Sequence, residues 1–425
     1  MTDFDTKKLN KHWTIEDSIS TYGIDKWGEK YFSINSDGNI SISPNRKSKK
    51  KVDLFKLVKE FKSREINTPL IIRFNDILKD RITELNNAFC QAIETYNYKN
   101  IYQGVFPIKC NQQKNVLEKI IEYGDPWNFG LEVGSKSELL IGLSILENQK
   151  SLLICNGYKD KNYIESAILA RKLGKQPIIV IEQRDEVKRI IEAVKNLKAT
   201  PILGIRSKLS SRSSGRWGKS VGDNSKFGLS IPEIMQTIKE LKEANLINEM
   251  KLLHFHVGSQ ISDISVIKDA LQEASQIFVE LSKLGAPMKY IDVGGGLGID
   301  FDGTKTSSNT STNYSLQNYA NDVIATVKDS CEVNNIEHPI IISESGRAII
   351  SHCSVLIFNI LGTSHVSSQV KVSDQKKQSL IITNLIETLN QLKNLRDKKE
   401  DLSEIIELWN DAKKFKEDCL AAFRL

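Results

Sequence analysis

A lysine stands at the end of a short apolar segment, in the sequence GVFPIKCN at residues 104–111. A lysine amine can attack a carbonyl carbon and form a Schiff base. Because Lys109 follows a proline-stiffened turn, we expect partial desolvation to lower its pKa and to favour the neutral amine. Most single lysines are solvated surface residues, so the meaning of Lys109 depends on the groups placed near it.

Polar or glycine-rich clusters end six further apolar segments downstream of Lys109. These clusters are Glu132, Asn156, Arg206, His254 with His256, residues 294–296 (GGG) and residues 344–347 (ESGR). Pyridoxal phosphate is held by groups of these types, namely an amine that forms a Schiff base, a flat ring that stacks, a glycine run that binds phosphate and a carboxylate–arginine pair. The set therefore predicts a site for that cofactor.

The two histidines alternate along a predicted strand, so both side chains point to the same face. We expect His254 to be a buried structural residue, and His256 to face the ligand, where an imidazole can stack on a pyridine ring. A zinc site would normally need a third ligand, and none stands out in the sequence. Ser259, three residues after His256, can donate to a phosphate.

The glycine run and the segment at residues 344–347 supply the remaining contacts. Backbone N–H groups of Gly294, Gly295 and Gly296 can approach an anion without interference from a Cβ atom. Glu344 can keep a pyridine nitrogen protonated, which makes the ring an electron sink. Arg347 can bind phosphate oxygens through two N–H groups. Taken alone, a glycine run is often an ordinary turn, and a Glu–Arg pair is often a surface salt bridge.

Residues 213–220 (SSGRWGKS) nearly match the nucleotide-binding pattern Gly-x-x-x-x-Gly-Lys-Ser. Position 213 is serine instead of glycine, and the following residues, Val221, Gly222 and Asp223, are a poor start for the helix that such a loop requires. The segment is therefore interpreted as a mobile, glycine-rich loop near the active site.

Strand-like segments alternate with amphipathic stretches from residue 101 onward. Eight apolar runs lie near residues 101–108, 128–133, 151–155, 177–181, 201–205, 251–257, 289–293 and 339–343. This alternation predicts an α/β fold, a (β/α)8 TIM-type barrel with its chemistry at the carboxyl ends of the strands. An open doubly wound sheet is the alternative, although it usually has fewer strands and a Gly-x-Gly-x-x-Gly near the first.

Three regions are predicted along the chain. Residues 1–68 hold partial N-terminal strands of a β-domain, with strands and turns over residues 12–45, followed by a connecting helix. Residues 69–362 form the barrel that binds pyridoxal phosphate. Residues 363–425 form a C-terminal helical hairpin, because apolar residues recur every three or four positions between Ile382 and Phe415, with a break at residues 396–401.

Composition narrows the class of protein. Apolar residues make up 40% and charged residues 26% of the 425 positions, which is typical of globular chains. The six cysteines form no Cys-x-x-Cys pair, and the chain has neither an apolar N-terminal signal nor an 18-residue apolar run. We expect a cytoplasmic protein with free thiols that binds no membrane. The basic run at residues 46–51 favours a solvated loop over nucleic-acid binding, because no aromatic residues accompany it.

Five motifs resemble those of biosynthetic arginine decarboxylases, in the fold-type III pyridoxal-phosphate group with ornithine and diaminopimelate decarboxylases and alanine racemase. The motifs are residues 106–112, 130–136, 255–260, 292–298 and 343–348. The N-terminal residues 13–18 and 22–24 and the helical stretch after residue 370 favour the arginine enzymes. The resemblance extends from about residue 12 to the end.

The resemblance implies a role for each site residue. Lys109, His256 and Glu344 would be catalytic, since Lys109 would form the internal aldimine, His256 would stack on the ring and Glu344 would pair with the ring nitrogen. The other cofactor-binding residues would be Glu132 and Arg206 in supporting roles, and Ser259, Gly294, Gly295, Gly296, Gly346 and Arg347 around the phosphate. The family is also described as using magnesium, for which the sequence shows no ligand set.

The implied reaction is the decarboxylation of L-arginine to agmatine and CO2 in polyamine (putrescine and spermidine) biosynthesis, by a homo-oligomer. Family members continue for a further domain beyond the position of Leu425. We therefore expect this chain to lack the acid that protonates the substrate Cα and the groups that bind the guanidinium. Two alternatives stay open, namely a relative that acts on another basic amino acid, and a cofactor-binding remnant or regulatory decoy.

Overall fold

The computed structural model describes residues 14–46, 51–210, 226–364, 380–398 and 402–422. The chain divides into two compact units, Met1–Asn359 and Ile360–Leu425. The predicted region boundaries at residues 68 and 362 stay predictions. The glycine-rich segment at residues 213–220 and most of the basic run lie outside the described residues.

The described N-terminal segment begins with helices, where the sequence predicted strands and turns. Helices α1 (Ile15–Tyr22) and α2 (Ile24–Trp27) precede an antiparallel sheet and one more helix, formed by β1 (Phe32–Ile34), β2 (Ile40–Ile42), β3 (Val52–Asp53) and α3 (Leu54–Ser63). The strand prediction is wrong over the two helices because Thr14 and Asp17 form a capping box, in which each side chain accepts from the other residue's backbone N–H at 3.1 Å.

Eight parallel strands form the barrel, and each of the eight predicted apolar runs supplies one. The chain enters through β4 (Leu70–Arg73) and α4 (Asn75–Thr95). The barrel strands are then β5 (Val105–Pro107), β6 (Gly130–Val133), β7 (Leu152–Cys155), β8 (Gln176–Ile181), β9 (Ile202–Arg206), β10 (Met250–His254), β11 (Tyr290–Asp292) and β12 (Ile340–Ile342). Tyr102 bridges to Ile341, and the Gln103 N–H donates to the Ile341 carbonyl at 2.9 Å. These contacts join the two ends of the sheet, so the barrel prediction is confirmed and the open-sheet alternative is wrong.

Helices cover the outside of the barrel. They are α4, α5 (Lys114–Gly124), α6 (Lys136–Ile145), α7 (Lys161–Lys172), α8 (Arg184–Leu197), α9 (Ile231–Glu243), α10 (Ile264–Lys283), α11 (Leu316–Val333) and α12 (Gly346–Ile350). Side chains alternate along each strand, so that Leu152 and Ile154 lie in the inner core while Leu153 belongs to the core shared with the helices. Burial on both faces explains why the strands appear in the sequence as continuous apolar runs.

After the barrel, the chain returns to β4. Strand β13 (Ser354–Ile357) pairs with β4 in antiparallel register, with Ser354 opposite Arg73. In the second unit, α13 (Leu380–Lys398) and α14 (Leu402–Ala422) pack against each other, which confirms the predicted helical hairpin. In the described ranges, no helix combines the length and the apolar composition that crossing a bilayer requires.

His352 connects the N-terminal segment to the barrel. Its Nε2 lies 3.3 Å from the Trp27 carbonyl and its ring centroid lies 5.9 Å from that of Tyr31, whereas its Nδ1 is buried without a partner. Burial, assisted by the positive charge of Arg81, lowers the pKa of His352 to about 4. The ring is therefore neutral in the folded protein near pH 7, and a second proton would lie on an unpartnered nitrogen.

We expect the free energy of unfolding to fall as the pH decreases from about 6.5 to 4, because the unfolded chain gains a proton at position 352 that the folded protein does not. The difference between pKa values of 6.5 and about 4 corresponds to about 3 kcal/mol. His352→Gln keeps a donor for the Trp27 carbonyl and should remove this part of the acid sensitivity. Urea unfolding of both proteins at pH 4.5 and pH 7.5 measures it, and equal pH dependence of the two would contradict it.

Candidate active site

A cavity of about 620 Å³ lies at the carboxyl ends of the barrel strands. Its walls include predicted residues that follow, or end, different strands. These are Lys109, Glu132, Asn156, Arg206, His254, His256 and Glu344. Functional residues of barrel enzymes lie at the carboxyl ends of the strands. Here the barrel places residues from distant parts of the sequence in one cavity at that end.

Lys109 lies in a single 3-10 turn, Ile108–Cys110, directly after β5. Its Nζ donates to Glu132 Oε2 at 2.9 Å. Burial acts to lower the pKa of Lys109, but the negative charges of Glu344 and Glu132 outweigh burial and raise the pKa above its ordinary value. The expectation of a lowered pKa is therefore wrong for the protein without cofactor, because two carboxylates face the amine.

A chain of hydrogen bonds connects Glu132 with Glu344. The Asn156 Nδ2 donates to Glu132 Oε1 at 3.1 Å and to Glu344 Oε1 at 2.7 Å. His254, which is buried as expected, places its Nε2 3.1 Å from the same Glu344 oxygen. Burial lowers the pKa of His254, so its ring is neutral and its Nε2–H donates to the carboxylate.

The two carboxyl groups differ in their affinity for protons. Burial, followed by the negative charge of Glu344, raises the pKa of Glu132 to about 7. Burial also acts to raise the pKa of Glu344, but His254 and Lys109 outweigh it and hold that pKa below its ordinary value. Opposite displacements of two neighbouring acids are a frequent sign of a functional site, in which one group holds a charge and the other exchanges a proton.

His256 presents a neutral imidazole ring. Its Nδ1 accepts from the Gly295 N–H at 3.1 Å, which places the remaining proton on Nε2. Burial, assisted by the positive charge of Arg206, lowers the pKa of His256 to about 3. A Cβ atom at position 295 would lie 3.2 Å from the imidazole Cε1 and 3.0 Å from the Glu344 carbonyl, so glycine allows this close packing.

The candidate phosphate contacts lie after β10, β11 and β12. Arg347 Nη2 donates to Ser259 Oγ at 3.0 Å, and both residues are exposed. Gly296 has a φ of 109°, a backbone conformation that favours glycine. A Cβ at Gly346 would lie 2.5 Å from Cys110 Sγ, so the helix that carries Arg347 packs closely on the turn that carries Lys109.

Two carboxyl groups of the site were missed in the sequence. Glu182 Oε1 accepts from Arg206 Nη1 at 2.7 Å. Burial acts to raise the pKa of Glu182, but the positive charges of Arg206 and Lys159 outweigh burial and hold that pKa below its ordinary value. Asp292 Oδ1 accepts from the Gly294 N–H at 2.9 Å, and burial, followed by the charge of Glu344, raises the pKa of Asp292. Both residues end an apolar run, so the strand-end rule could have found them.

His254, Asp292 and Glu344 each place one possible ligand atom within 4.8 Å of the others. Magnesium prefers oxygen ligands in octahedral geometry and usually keeps several waters. These three groups are buried, one is an imidazole, and the raised pKa of Asp292 favours its protonated form. The cluster therefore does not fit a magnesium ion.

The cavity does fit an aromatic aldehyde that carries an anionic group. Within the cavity, Lys109 offers an amine, His256 a neutral flat ring and Glu344 a buried carboxylate. Ser259, the glycine turns and Arg347 do not line the cavity, but they offer donors in the loops that follow the same strands as His256 and Glu344 and the strand between them. This arrangement defines the class as a barrel with a site suited to pyridoxal phosphate. The profile of the pyridoxal-binding domain of pyridoxal-dependent decarboxylases matches residues 82–351. The chain belongs to the pyridoxal-dependent decarboxylase family.

Known relatives match the entire chain. It is 94% identical over all 425 residues to the biosynthetic arginine decarboxylase of Prochlorococcus marinus subsp. pastoris, and spans 66% of that protein. It is 57% identical over 97% of its length to the biosynthetic arginine decarboxylase of Parasynechococcus marenigrum, and spans 64% of that protein. The chain thus spans slightly less than two thirds of the length of each of these relatives.

Solved structures share the fold. The biosynthetic arginine decarboxylase of Campylobacter jejuni aligns with a TM-score of 0.73 and 31% identity, over 95% of this chain and 64% of that one. A diaminopimelate decarboxylase from M. jannaschii aligns with a TM-score of 0.60 and 23% identity, over 77% of this chain and 69% of that one. At that identity, the second likeness concerns the fold alone.

Proposed function

We propose that this chain binds pyridoxal phosphate and takes part in the decarboxylation of L-arginine to agmatine and CO2. The observation that carries the proposal is the meeting of Lys109 and Glu344 in one cavity, joined through Glu132 and Asn156. The relatives are named arginine decarboxylases, which supports arginine as the substrate.

Each side chain has a proposed task toward the cofactor. Lys109 would bind the aldehyde carbon, His256 would cover one face of the ring, and Glu344 would hold a proton on the ring nitrogen. When bound, the cofactor withdraws electrons from the substrate Cα, so that the carboxylate can leave as CO2. The supporting residues would be Glu132 and Arg206, with Ser259, Gly294, Gly295, Gly296, Gly346 and Arg347 around the phosphate.

Glu132 would also manage a proton. The Lys109 amine is an ammonium in the cofactor-free site, and an ammonium cannot attack an aldehyde. Glu132 Oε2 lies 2.9 Å from Lys109 Nζ, so it is the acceptor in hydrogen-bond contact through which that proton can leave. Glu344 stays ionised and is the group suited to hold charge.

Other parts of the proposal rest on the resemblance. We propose a role in polyamine biosynthesis, because the relatives are named biosynthetic arginine decarboxylases. A homo-oligomer and a cytoplasmic location rest on the resemblance alone. Magnesium gains no support from the described residues, since the cluster of His254, Asp292 and Glu344 does not fit it. The relatives' names do not favour another basic substrate. The chain keeps every proposed cofactor-binding residue, which a decoy would not need.

Substrate choice tests the proposal. Release of CO2 from carboxyl-labelled arginine, ornithine, lysine and diaminopimelate is measured with this chain and with the chain extended to the length of its relatives. We expect arginine to be preferred by at least about tenfold, because burying a polar group without its partner costs about 1–3 kcal/mol. Preference for another amino acid would contradict the proposal that arginine is the substrate. Absence of cofactor binding would contradict the proposal that the cavity binds pyridoxal phosphate.

Arg347→Ala should weaken binding of pyridoxal phosphate by about 10- to 100-fold, the loss expected for hydrogen bonds to a charged group. Pyridoxal without phosphate serves as the control ligand, and its affinity should change little. Both affinities are measured by absorbance titration of the cofactor-free protein. An equal loss for the two ligands would show that Arg347 does not bind the phosphate.

A further inference from the structure

One side-chain nitrogen lies between the two carboxyl groups of the cavity. Asn156 is buried at the end of β7, and its Nδ2 lies 3.1 Å from Glu132 Oε1 and 2.7 Å from Glu344 Oε1. A side-chain amide nitrogen carries two hydrogens. Each hydrogen can therefore bind one carboxylate, and a single residue bridges two acids that are far apart in the sequence.

The backbone holds Asn156 in this place. Its N–H donates to the Val133 carbonyl at 2.9 Å, and the Tyr163 hydroxyl shares its one hydrogen between the Val133 carbonyl at 2.9 Å and the Asn156 carbonyl at 3.1 Å. The next residue, Gly157, has a φ of 74°, and a Cβ there would lie 2.1 Å from the Gly134 carbonyl. The amide thus stands on a turn that is fixed at both its main-chain polar groups.

The hydrogen bonds select one oxygen of Glu344. Asn156 and His254 both donate to Oε1, and no described residue donates to Oε2. Lys109 binds the opposite oxygen of Glu132 from the one that Asn156 binds. Two buried carboxylates repel each other, and a shared donor offsets part of that repulsion.

We propose that Asn156 is a positioning residue of the cofactor site, which holds Glu344 Oε1 so that Oε2 faces the ring nitrogen of bound pyridoxal phosphate. The same amide keeps Glu132 beside Lys109. This inference rests on the proposed function, because Glu344 needs a defined orientation only if a ring nitrogen lies opposite.

A ligand that lacks the ring nitrogen separates positioning from general stability. The affinity of the cofactor-free protein is measured for pyridoxal phosphate and for its deaza analogue, in which CH replaces the nitrogen. Asn156→Ala and Asn156→Asp should weaken the binding of pyridoxal phosphate by about tenfold or more, as for a lost hydrogen bond to a charged group. The affinity for the deaza analogue should fall much less. The ratio of the two affinities, which in the wild type favours the ligand with the ring nitrogen, should therefore become smaller.

Asn86 provides a matched control. It is also buried, its Nδ2 donates to the Ile82 carbonyl at 2.8 Å on α4, and its Oδ1, like that of Asn156, is buried without a partner. Asn86→Ala and Asn86→Asp should leave the preference between the two ligands unchanged. An equal loss of both ligands in the Asn156 variants, or a loss of preference in the Asn86 variants, would overturn the inference.

Folding and the proposed function can be judged separately. Circular dichroism identifies a variant that fails to fold. If Asn156→Ala or Asn156→Asp fails to fold, Asn156→Ser is used in its place, because serine keeps one donor in a smaller side chain. An unchanged ligand preference in this serine variant would also overturn the inference. Wild-type protein that does not bind pyridoxal phosphate at Lys109 would instead refute the proposed function.

Discussion

Lys109→Ala should abolish the visible absorbance band that forms when pyridoxal phosphate binds covalently to the wild-type protein. Lys109 is the cavity lysine whose Nζ donates to the buried carboxyl group of Glu132 at 2.9 Å. Without the amine, the aldehyde has no nucleophile at this position. In a preparation that decarboxylates arginine, we expect the rate to fall by at least about 10³-fold, as for loss of a covalent catalyst.

Lys136→Ala is the matched control, because Lys136 lines the same cavity. Its Nζ lies 2.8 Å from Asp160 Oδ2, and the resemblance gives it no role. This variant should keep the absorbance band. Reduction with borohydride followed by peptide mass spectrometry should place the cofactor on the peptide that contains Lys109. A band in Lys109→Ala, or label on Lys136, would refute the assignment.

The barrel was predictable because its signal is repeated. Each strand is buried on both faces and appears as a continuous apolar run, and the polar residue that ends each run marks the carboxyl end. One rule, applied eight times, therefore gave both the fold and the positions of Glu132, Arg206 and Glu344. Glu182 and Asp292 also stand at strand ends, so the same rule, applied to every strand end, would have included them.

The N-terminal helices show where the prediction failed for a local reason. Residues 12–45 contain a genuine hairpin signal, confirmed by the pairing of Phe32 with Ile42. The hairpin signal does not apply to residues 15–27, which form two helices. The sequence Thr14-Ile15-Glu16-Asp17 carries a capping-box pattern that begins a helix, and a capping pattern competes directly with a strand assignment.

The pKa of Lys109 could not be obtained from its own segment. Burial near a proline suggests a lowered value, and burial does act in that direction. The opposing charges come from Glu132 on β6 and from Glu344 after β12, and only the closed barrel places them beside the amine. Electrostatic properties of this site thus depend on contacts between strands, which a linear pattern does not measure.

Glu344→Gln should keep the cofactor bound at Lys109 yet lower the rate of arginine decarboxylation by about 10²-fold or more, a loss of about 3 kcal/mol in transition-state stabilisation. The structure also fixes how the amide would lie. Asn156 and His254 both donate to Oε1, so the amide oxygen would take that position. The amide NH2 would then replace Oε2 and point a donor at a nitrogen that must itself be protonated.

Glu186→Gln tests whether the effect belongs to the cavity. Glu186 is a fully buried carboxylate on α8, accepts from the Lys159 and Glu182 N–H groups, and lies outside the cavity lining. Its substitution also converts a buried carboxyl group into an amide and should change the rate much less. Because the neutral amide cannot favour a protonated nitrogen, Glu344→Gln should also bind pyridoxal phosphate and its deaza analogue with more similar affinities. Near wild-type turnover in Glu344→Gln would remove this carboxylate from the chemistry.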